Sequence, residues 1–526
     1  STSNINVTTN NDSSNWSFEY VGGASEIENN RFIGRFPDVA IDSKGYPCVA
    51  YDDLFSGNFV NLMYTYWTGR EWKYELIDTA ADSHIYGVSL QLDKNDKPHI
   101  VYEKRLNPTF THHPISLCYA KKINNNWKIE TIDTAPTETN KELFWSGGFV
   151  LGSNEKPHVA YSALRWIKNN DDYFWYCELI YATKSSTTWT VETVEEAYEH
   201  DHPIGDTGYV SIDVDSKNNP HIVYYGEDLG EPEAGDDKKY AKYIKKDGQQ
   251  WTPPEIVTDN VVEAASIALD SSDNPHIVAL EWETAINWVN TAVTYNYKLD
   301  NQWKRQVVEY ETKDWDSLDD CEIVLNSKNN PYVVYTYFKG RERQSYLKCA
   351  EKNGQTWDIE IPIPIEIDDW YGDKPNVVFD KNDNPHICNG GLKTRGAAYY
   401  NNLPGPDKPQ KPQGPIIGNP GTKYTFTTKS DTSQNSQIQY GWDWDGDYYV
   451  DEWSEWTDPG ETISASKSWP MSGTYKVRVI AKTQNCGKSE WSDTLSITIP
   501  RNRIINNLSI VQILIYIFHH YKNLVF

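Results

Sequence analysis

Apolar and polar positions along residues 16–402 repeat in a fixed order. Seven times an alternating apolar stretch enters a short polar turn of the form D-S-x-x-N-P and leaves as a second apolar stretch. The seven copies are AIDSKGYPCVAY, QLDKNDKPHIVY, VLGSNEKPHVAY, DVDSKNNPHIVY, ALDSSDNPHIVA, VLNSKNNPYVVY and VFDKNDNPHICN. Asp, Asn and Pro set turn geometry and the flanks alternate with period two, so each copy reads as two antiparallel strands, A and B. A third strand, C, follows each as LMYTYW, LCYAKK, LIYATK, KYAKYI, VTYNYK, YLKCAE and AAYYNN. A fourth, D, opens at Trp72, Trp127, Trp189, Trp251, Trp303 and Trp357. The turn prolines Pro47, Pro98, Pro157, Pro220, Pro275, Pro331 and Pro385 are 51, 59, 63, 55, 56 and 54 residues apart. Such a period is that of a four-stranded blade with connections of variable length.

The count leaves one D strand missing after the last C strand. Trp16 opens WSFEYV ahead of the first A strand and matches WKYELI and WKIETI. Residues 16–21 are therefore expected to pair near Ala397–Asn401 as the outer strand of the last blade. Closure of that kind removes the sheet edges an open array would expose. The expected fold class is all-β: a seven-bladed β-propeller closed by the N-terminal strand over 16–402, plus an Ig-like β-sandwich. Residues 403–412, within the Pro-rich LPGPDKPQKPQGP, read as an extended linker. Strand patterns resume over 413–500 as KYTFTTK, QIQYGWDWD, TYKVRVIAK and TLSITIP. Residues 1–15 are too polar to fold alone. In the tail, 501–526, the apolar run Ile510–Phe518 is well short of the roughly 20 residues that span a bilayer, so no transmembrane span is expected.

Composition narrows the function. With 49 Lys and Arg against 75 Asp and Glu, the net charge is −26, which repels phosphate backbones and argues against nucleic acid as a partner. Aromatic residues make up 13%, as suits strands rather than helical bundles. Of seven Cys, Cys48, Cys118, Cys177, Cys349 and Cys388 fall inside expected strands and read as small buried hydrophobes, so no disulfide is required. Asn6, Asn11 and Asn15 stand in glycosylation-type tripeptides. The chain starts at Ser1 and is expected to be a processed, extracellular or cell-surface form.

Candidate chemistry lies off the repeat. His99, His158, His221, His276 and His386 recur at one strand-B position and are expected to be structural. The other propeller histidines are His84, His112, His113, His200 and His202, all in D–A or B–C connections. Strands alternate in direction, so those connections share one face, opposite the A–B and C–D turns. The same face holds Tyr86, Trp145, Trp166, Asp201, Asp206, Arg31, Arg35, Arg105, Arg165, Arg341, Arg343 and Arg395, with Arg70 and Arg305 elsewhere. Arg pairs bidentately with carboxylates and sulfates and aromatic faces stack on sugar rings, which points to a glycan, acidic in type, or a surface protein as ligand. The alternative is that these Arg bridge neighbouring acids. A second group, Asp314, Asp316, Asp319, Asp320, Asp368, Asp369 and Asp373 with Trp315, Trp370 and Tyr371, supplies acids for general acid–base or cation chemistry, or a solvated surface.

The C–D hairpins KNGQTW and KDGQQW resemble degenerate Asp-box hairpins of sialidase-like propellers, a resemblance that implies architecture and no catalytic residue. YGWDWDGD and SWPMSGTYKVRVIAK are similar to polycystic-kidney-disease-type (PKD) Ig-like domains, modules that occur with propellers in secreted archaeal and bacterial surface proteins. Within DWDGDYYVDEW, Asp443, Asp445, Asp447 and Asp451 stand at odd positions, as a Ca2+ loop would place them, although Tyr448 and Ser454 replace the Gly and Glu of an EF-hand. Three readings follow: a surface binding or adhesion protein, a glycoside hydrolase or polysaccharide lyase acting on acidic glycan, and a surface-layer or filament component.

Overall fold

In the computed structural model the described residues are 16–21, 33–55, 59–81, 85–105, 115–135, 141–169, 172–185, 187–200, 210–228, 238–258, 260–282, 291–311, 316–340, 344–362, 375–390, 397–448 and 450–501. They fall in two compact units, divided between Leu403 and Pro404.

The first unit is built from seven antiparallel sheets. Blade 1 comprises Ile33–Ile41, Pro47–Phe55, Phe59–Trp67 and Trp72–Ala81, hydrogen-bonded in that order as strands A to D. Blades 2 to 6 repeat the order and open at Ile85, Lys141, Val210, Val261 and Asp316. In blade 4 strand D is split into Gln250–Trp251 and Glu255–Ile256 by Pro253 and Pro254, which cannot donate to the ladder. Blade 7 takes Asn376–Phe379, Pro385–Asn389 and Ala398–Asn401 from the end of the unit and Ser17–Tyr20 from its start. Ser17 faces Asn401 and Tyr20 faces Ala398, and the Val21 N–H donates to Ala397 O at 2.9 Å. The A strands neighbour one another in sequence, and that of blade 7 lies against that of blade 1. The ring is closed, and the expected N-terminal closure is found.

Every A–B turn has five residues, from 42–46 in blade 1 to 380–384 in blade 7. In blade 1, Asp42 Oδ1 accepts the N–H groups of Lys44 and Tyr46 at 2.9 and 2.8 Å, and the same bonds recur from Asp93, Asp215, Asp270, Asn326 and Asp380. The fourth turn residue has positive φ throughout: Gly45, Asp96, Glu155, Asn218, Asp273, Asn329 and Asp383. Gly, Asn and Asp tolerate that conformation best, which is why this column of the repeat is so narrow. Its side chains also tie adjacent blades: Ser43 Oγ donates to Asp96, Ser216 Oγ to Asp273 and Ser327 Oγ to Asp383, at 2.6 to 2.7 Å.

Aromatic contacts join the blades farther out. A strand-C tyrosine meets the strand-D tryptophan of the next blade in Tyr64–Trp127, Tyr119–Trp189, Tyr181–Trp251, Tyr243–Trp303 and Tyr295–Trp357, and Tyr399 meets Trp72 where the ring returns to blade 1. At the remaining joint Cys349 takes the tyrosine's place, and Trp16 packs there with Tyr332, Val334, Leu347 and Tyr400. The Trp16 indole N–H donates to Glu360 at 3.1 Å, as Trp127 does to Glu75 at the same distance. A lysine completes several joints: Lys122 and Lys298 reach Glu75 and Glu255 at 2.5 and 2.7 Å, Lys122 lying over Tyr66 and Trp127 and Lys298 over Tyr243 and Trp303.

The second unit is a two-sheet sandwich. Lys423–Thr428 pairs with Ile463–Ser468, and the other sheet runs Glu452–Trp453, Ile438–Asp443, Gly473–Thr483, Leu495–Ile499. Phe426, Tyr440, Trp442, Trp444, Trp469, Val479 and Ile497 fill its core. The Pro-rich stretch expected to be an extended linker is instead hydrogen-bonded along this unit, Asp407 N to Asp431 O, Gln410 N to Lys429 O and Gln413 N to Thr427 O. Proline spares alternate donors, while the residues between still supply an edge pairing.

Candidate functional site

The repeat histidines are structural. Nδ1 of His99, His158, His221, His276 and His386 lies 2.5 to 2.7 Å from the hydroxyl of Tyr119, Tyr181, Tyr243, Tyr295 and Tyr399. Nε2 of four of them sits 3.6 to 4.0 Å from the turn aspartate. Burial lowers the pKa of His99 and His276 and pushes His158 and His221 down to about 4, so these rings are neutral at pH 7.

Among the sequence candidates, His84, His112, His113, Asp201, His202, Trp315, Arg341, Trp370 and Arg395 lie outside the described residues. Tyr86 and Trp145 stand near the starts of A strands Ile85–Leu92 and Lys141–Leu151. Arg165, Trp166 and His200, expected in connections, belong to strands, because blade 3 extends its pairing through Pro157–Asn169, Asp172–Ser185 and Thr188–His200. The pairing there runs on from Arg165 opposite Tyr176 to Asn169 opposite Asp172. Arg105 Nε donates to Glu103 Oε1 at 2.6 Å, and Glu103 is 2% exposed, so this arginine neutralises a buried acid. Of the second acidic group, Asp316 accepts from Tyr337 Oη at 2.9 Å and from the Gly340 N–H at 3.1 Å.

Strand A departs from one column of the repeat in blades 6, 7 and 1, a feature the sequence analysis missed. Four positions before the turn residue, strand A carries Ser89, Gly148, Ser211 and Ser266 in blades 2 to 5. Ser211 and Ser266 point their hydroxyls at the next inner strand's N–H, at Ile267 (3.3 Å) and Ile323 (3.5 Å). Blades 6, 7 and 1 carry Glu322, Asn376 and Asp38 there. Asp38 Oδ2 accepts the Leu90 N–H at 2.6 Å. Burial pushes its carboxyl up to about 7, opposed by that bond and reinforced by the Glu322 charge. Strand B departs as well. Tyr102, Tyr161, Tyr224 and Tyr335 donate to Asp78, Asp133, Glu195 and Glu309 of the preceding blade, whereas blade 5 has Ala279 and blade 7 has Asn389 in that column. Asn389 is 1% exposed with neither amide atom hydrogen-bonded, and Asn376 Oδ1 is buried without a partner. Departure from the repeat column was the available signal.

In the sandwich, carboxylate oxygens of Asp443, Asp445 and Asp447 lie within 4.8 Å of one another. Asp443 is buried and organises the turn: Oδ1 accepts from the Asp445 and Gly446 N–H groups at 3.2 and 2.6 Å, Oδ2 from that of Tyr448 at 3.1 Å. Arg478 Nη1 is 3.9 Å from Asp443 Oδ2. Asp451, expected with the other three, stands apart, because the chain folds back and its Oδ2 accepts the Trp444 N–H at 2.8 Å.

No family model and no curated protein matches the chain. Among solved structures, it is similar to the PKD domain of an M14-like peptidase from Thermoplasmatales archaeon SCGC AB-540-F20, at 35% identity over 18% of this chain and 97% of that one, TM-score 0.17. An endo-arabinase from Bacteroides thetaiotaomicron VPI-5482 is matched at 11% identity over 50% of this chain and 92% of that one, TM-score 0.29. A Penicillium chrysogenum alpha-L-arabinanase complexed with arabinobiose is matched at 11% identity, over 60% and 92%, TM-score 0.34. Among the described residues no helix is long and apolar enough to cross a membrane. By its own sheets and closure, the chain is an all-β protein, a β-propeller sealed by its N-terminal strand and followed by a PKD-type Ig-like sandwich.

Proposed function

We propose that this is an extracellular or cell-surface glycan-binding protein whose propeller recognises its ligand through the face bearing the D–A and B–C connections. One observation carries the reading. The A–B side is a uniform belt of five-residue turns with its polar groups bonded internally, whereas the B–C connections run from two residues, 170–171, to nine, 106–114. Invariant length serves the ring, and variable loops on a rigid scaffold serve recognition. A glycan array probed with the full chain tests this. Retention of a defined oligosaccharide class supports it, and retention of none refutes it.

Hydrolysis is the second reading, favoured by one feature. Asp38, whose pKa burial and the Glu322 charge raise to about 7, is partly protonated at neutral pH, as a general acid requires. Release of reducing sugar by the wild type, lost in Asp38→Asn, would establish it. Asp443, Asp445 and Asp447 are proposed as a Ca2+ site, which would stabilise the sandwich; calorimetry showing no heat with Ca2+ would refute that.

A further inference from the structure

The turn over 443–448 in the sandwich sets an aromatic ring beside its three carboxylates. Tyr448 is 60% exposed, yet its N–H donates to Asp443 Oδ2 at 3.1 Å, so its backbone belongs to the carboxylate turn. The Arg478 guanidinium covers one face of the ring, with Cζ 3.6 Å from the centroid, and Trp491 stands at 80° to it with 6.0 Å between centroids. Arg478 is itself held, Nε donating to Thr494 Oγ1 at 3.0 Å and Nη2 to Gly446 O at 3.3 Å. Its Nη1 is buried without a hydrogen bond and lies 3.9 Å from Asp443 Oδ2. Two short steps, ring to Cζ and Nη1 to Asp443, thus keep the Tyr448 ring within the breadth of one sugar from the carboxylates.

Ca2+ takes about 6–8 oxygens at roughly 2.3–2.6 Å, so oxygens on one ion lie at most about 5 Å apart, a limit that three carboxylates within 4.8 Å of one another meet. They do not fill its shell. Asp445 and Asp447 are exposed, so the remaining positions fall to water or to the hydroxyls of a ligand. An oxygen brought in by the ion would also meet the Arg478 Nη1 donor, which is costly to leave unmet in a buried place. Tyr448 has a φ of +68°, where a bulky residue is a rare exception and Gly or Asn fits better. A turn shaped only to hold a cation gains nothing from a ring there. Adjacent hydroxyls of a sugar can replace two waters on Ca2+ while its C–H face lies on an aromatic plate.

We propose that Asp443, Asp445, Asp447 and Tyr448 form a Ca2+-bridged sugar site on the sandwich, the ion taking two adjacent hydroxyls and the Tyr448 ring the apolar face of the sugar. The proposal rests on the Ca2+ reading of these carboxylates and is independent of the propeller face.

The test puts the full chain on an array of neutral oligosaccharides (manno-, galacto-, fuco- and xylo-oligosaccharides) beside oligogalacturonates and sialyllactose, once with Ca2+ and once with EGTA. Calorimetry with Ca2+ alone accompanies it. Wild type is expected to bind Ca2+ and to retain a neutral probe only in its presence. Asp447→Asn should lose both. Tyr448→Gly, which suits the backbone, should keep the Ca2+ heat and weaken the retention about tenfold, the loss expected when an aromatic contact is removed. Thermal melting checks that each variant folds, and Tyr448→Asn is a second variant that tolerates the same φ. Ca2+ heat with retention unchanged by EGTA, retention of acidic probes only, or retention undiminished in the folded Tyr448 variants would overturn the proposal and leave the Ca2+ site standing. No Ca2+ heat from wild type would overturn both.

Discussion

Replacing Trp16 with alanine tests whether the N-terminal strand is an integral part of the ring. Trp16 is 8% exposed, packs among Tyr332, Val334, Leu347, Cys349 and Tyr400, and donates its indole N–H to Glu360. Truncating a buried Trp to Ala costs about 3–5 kcal/mol, from lost burial and the cavity left behind. Trp16→Phe keeps most of the ring and removes the bond to Glu360, a loss of about 1 kcal/mol. The two variants should thus rank Phe above Ala. Trp127→Ala, at the equivalent joint between blades 1 and 2, should match Trp16→Ala to within a factor of about two, since both side chains fill the same kind of site. Urea unfolding followed by tryptophan fluorescence measures all three, with the sandwich's transition resolved by near-ultraviolet circular dichroism. A loss below about 1 kcal/mol for Trp16→Ala, with Trp127→Ala strongly destabilised, would show that Ser17–Tyr20 is a dispensable addition and refute ring closure as a source of stability.

Asp38 has a folded pKa raised by burial, so the native state holds a proton that the unfolded chain has lost above pH 4. Its contribution to stability must fall as pH rises from about 4 to 7, and Asp38→Asn should remove that fall in unfolding curves taken across the range; an unchanged slope refutes the buried, protonated carboxyl. His158 and His221 act with the opposite sign, because the unfolded chain binds protons between about pH 4 and 6.5 that the native rings refuse. His221→Gln should therefore flatten the acid limb. Cys48, Cys118, Cys349 and Cys388 are buried thiols, with Cys48 and Cys118 pushed up to about 12 and 11 by burial, so these four should resist a thiol reagent until the protein unfolds.

Architecture was legible because it is written in columns. Turn Asp, positive-φ Gly or Asn, strand-B His and strand-D Trp each answer a backbone or packing demand that recurs in every blade, and Trp16 could be placed from that recurrence alone. The site was less legible for the same reason. Attention to residues outside the repeat led to His, Arg and Trp in the connections, whereas Asp38, Glu322, Asn376 and Asn389 occupy repeat columns and differ only in type. Arg105 shows the limit of counting charges: two residues away, a buried glutamate uses its guanidinium. The Pro-rich stretch shows a related limit, since composition reports stiffness but not which edge is within reach.

The pairing of Ser17 with Asn401 has a topological corollary. In six blades strands C and D are joined by a short hairpin, such as that turning at Asn124 and Asn125, both with positive φ. In blade 7 the same two strands are present and only the hairpin is missing, so the free ends of the first unit amount to one cut turn in a rotationally repetitive circle. Every other C–D hairpin is an equivalent place to cut. A chain rejoined between Asn401 and Trp16 by an Asn-Gly turn, and opened instead at the Gly248 hairpin, should close the same circle with its seam three blades away, because no strand would change its partners.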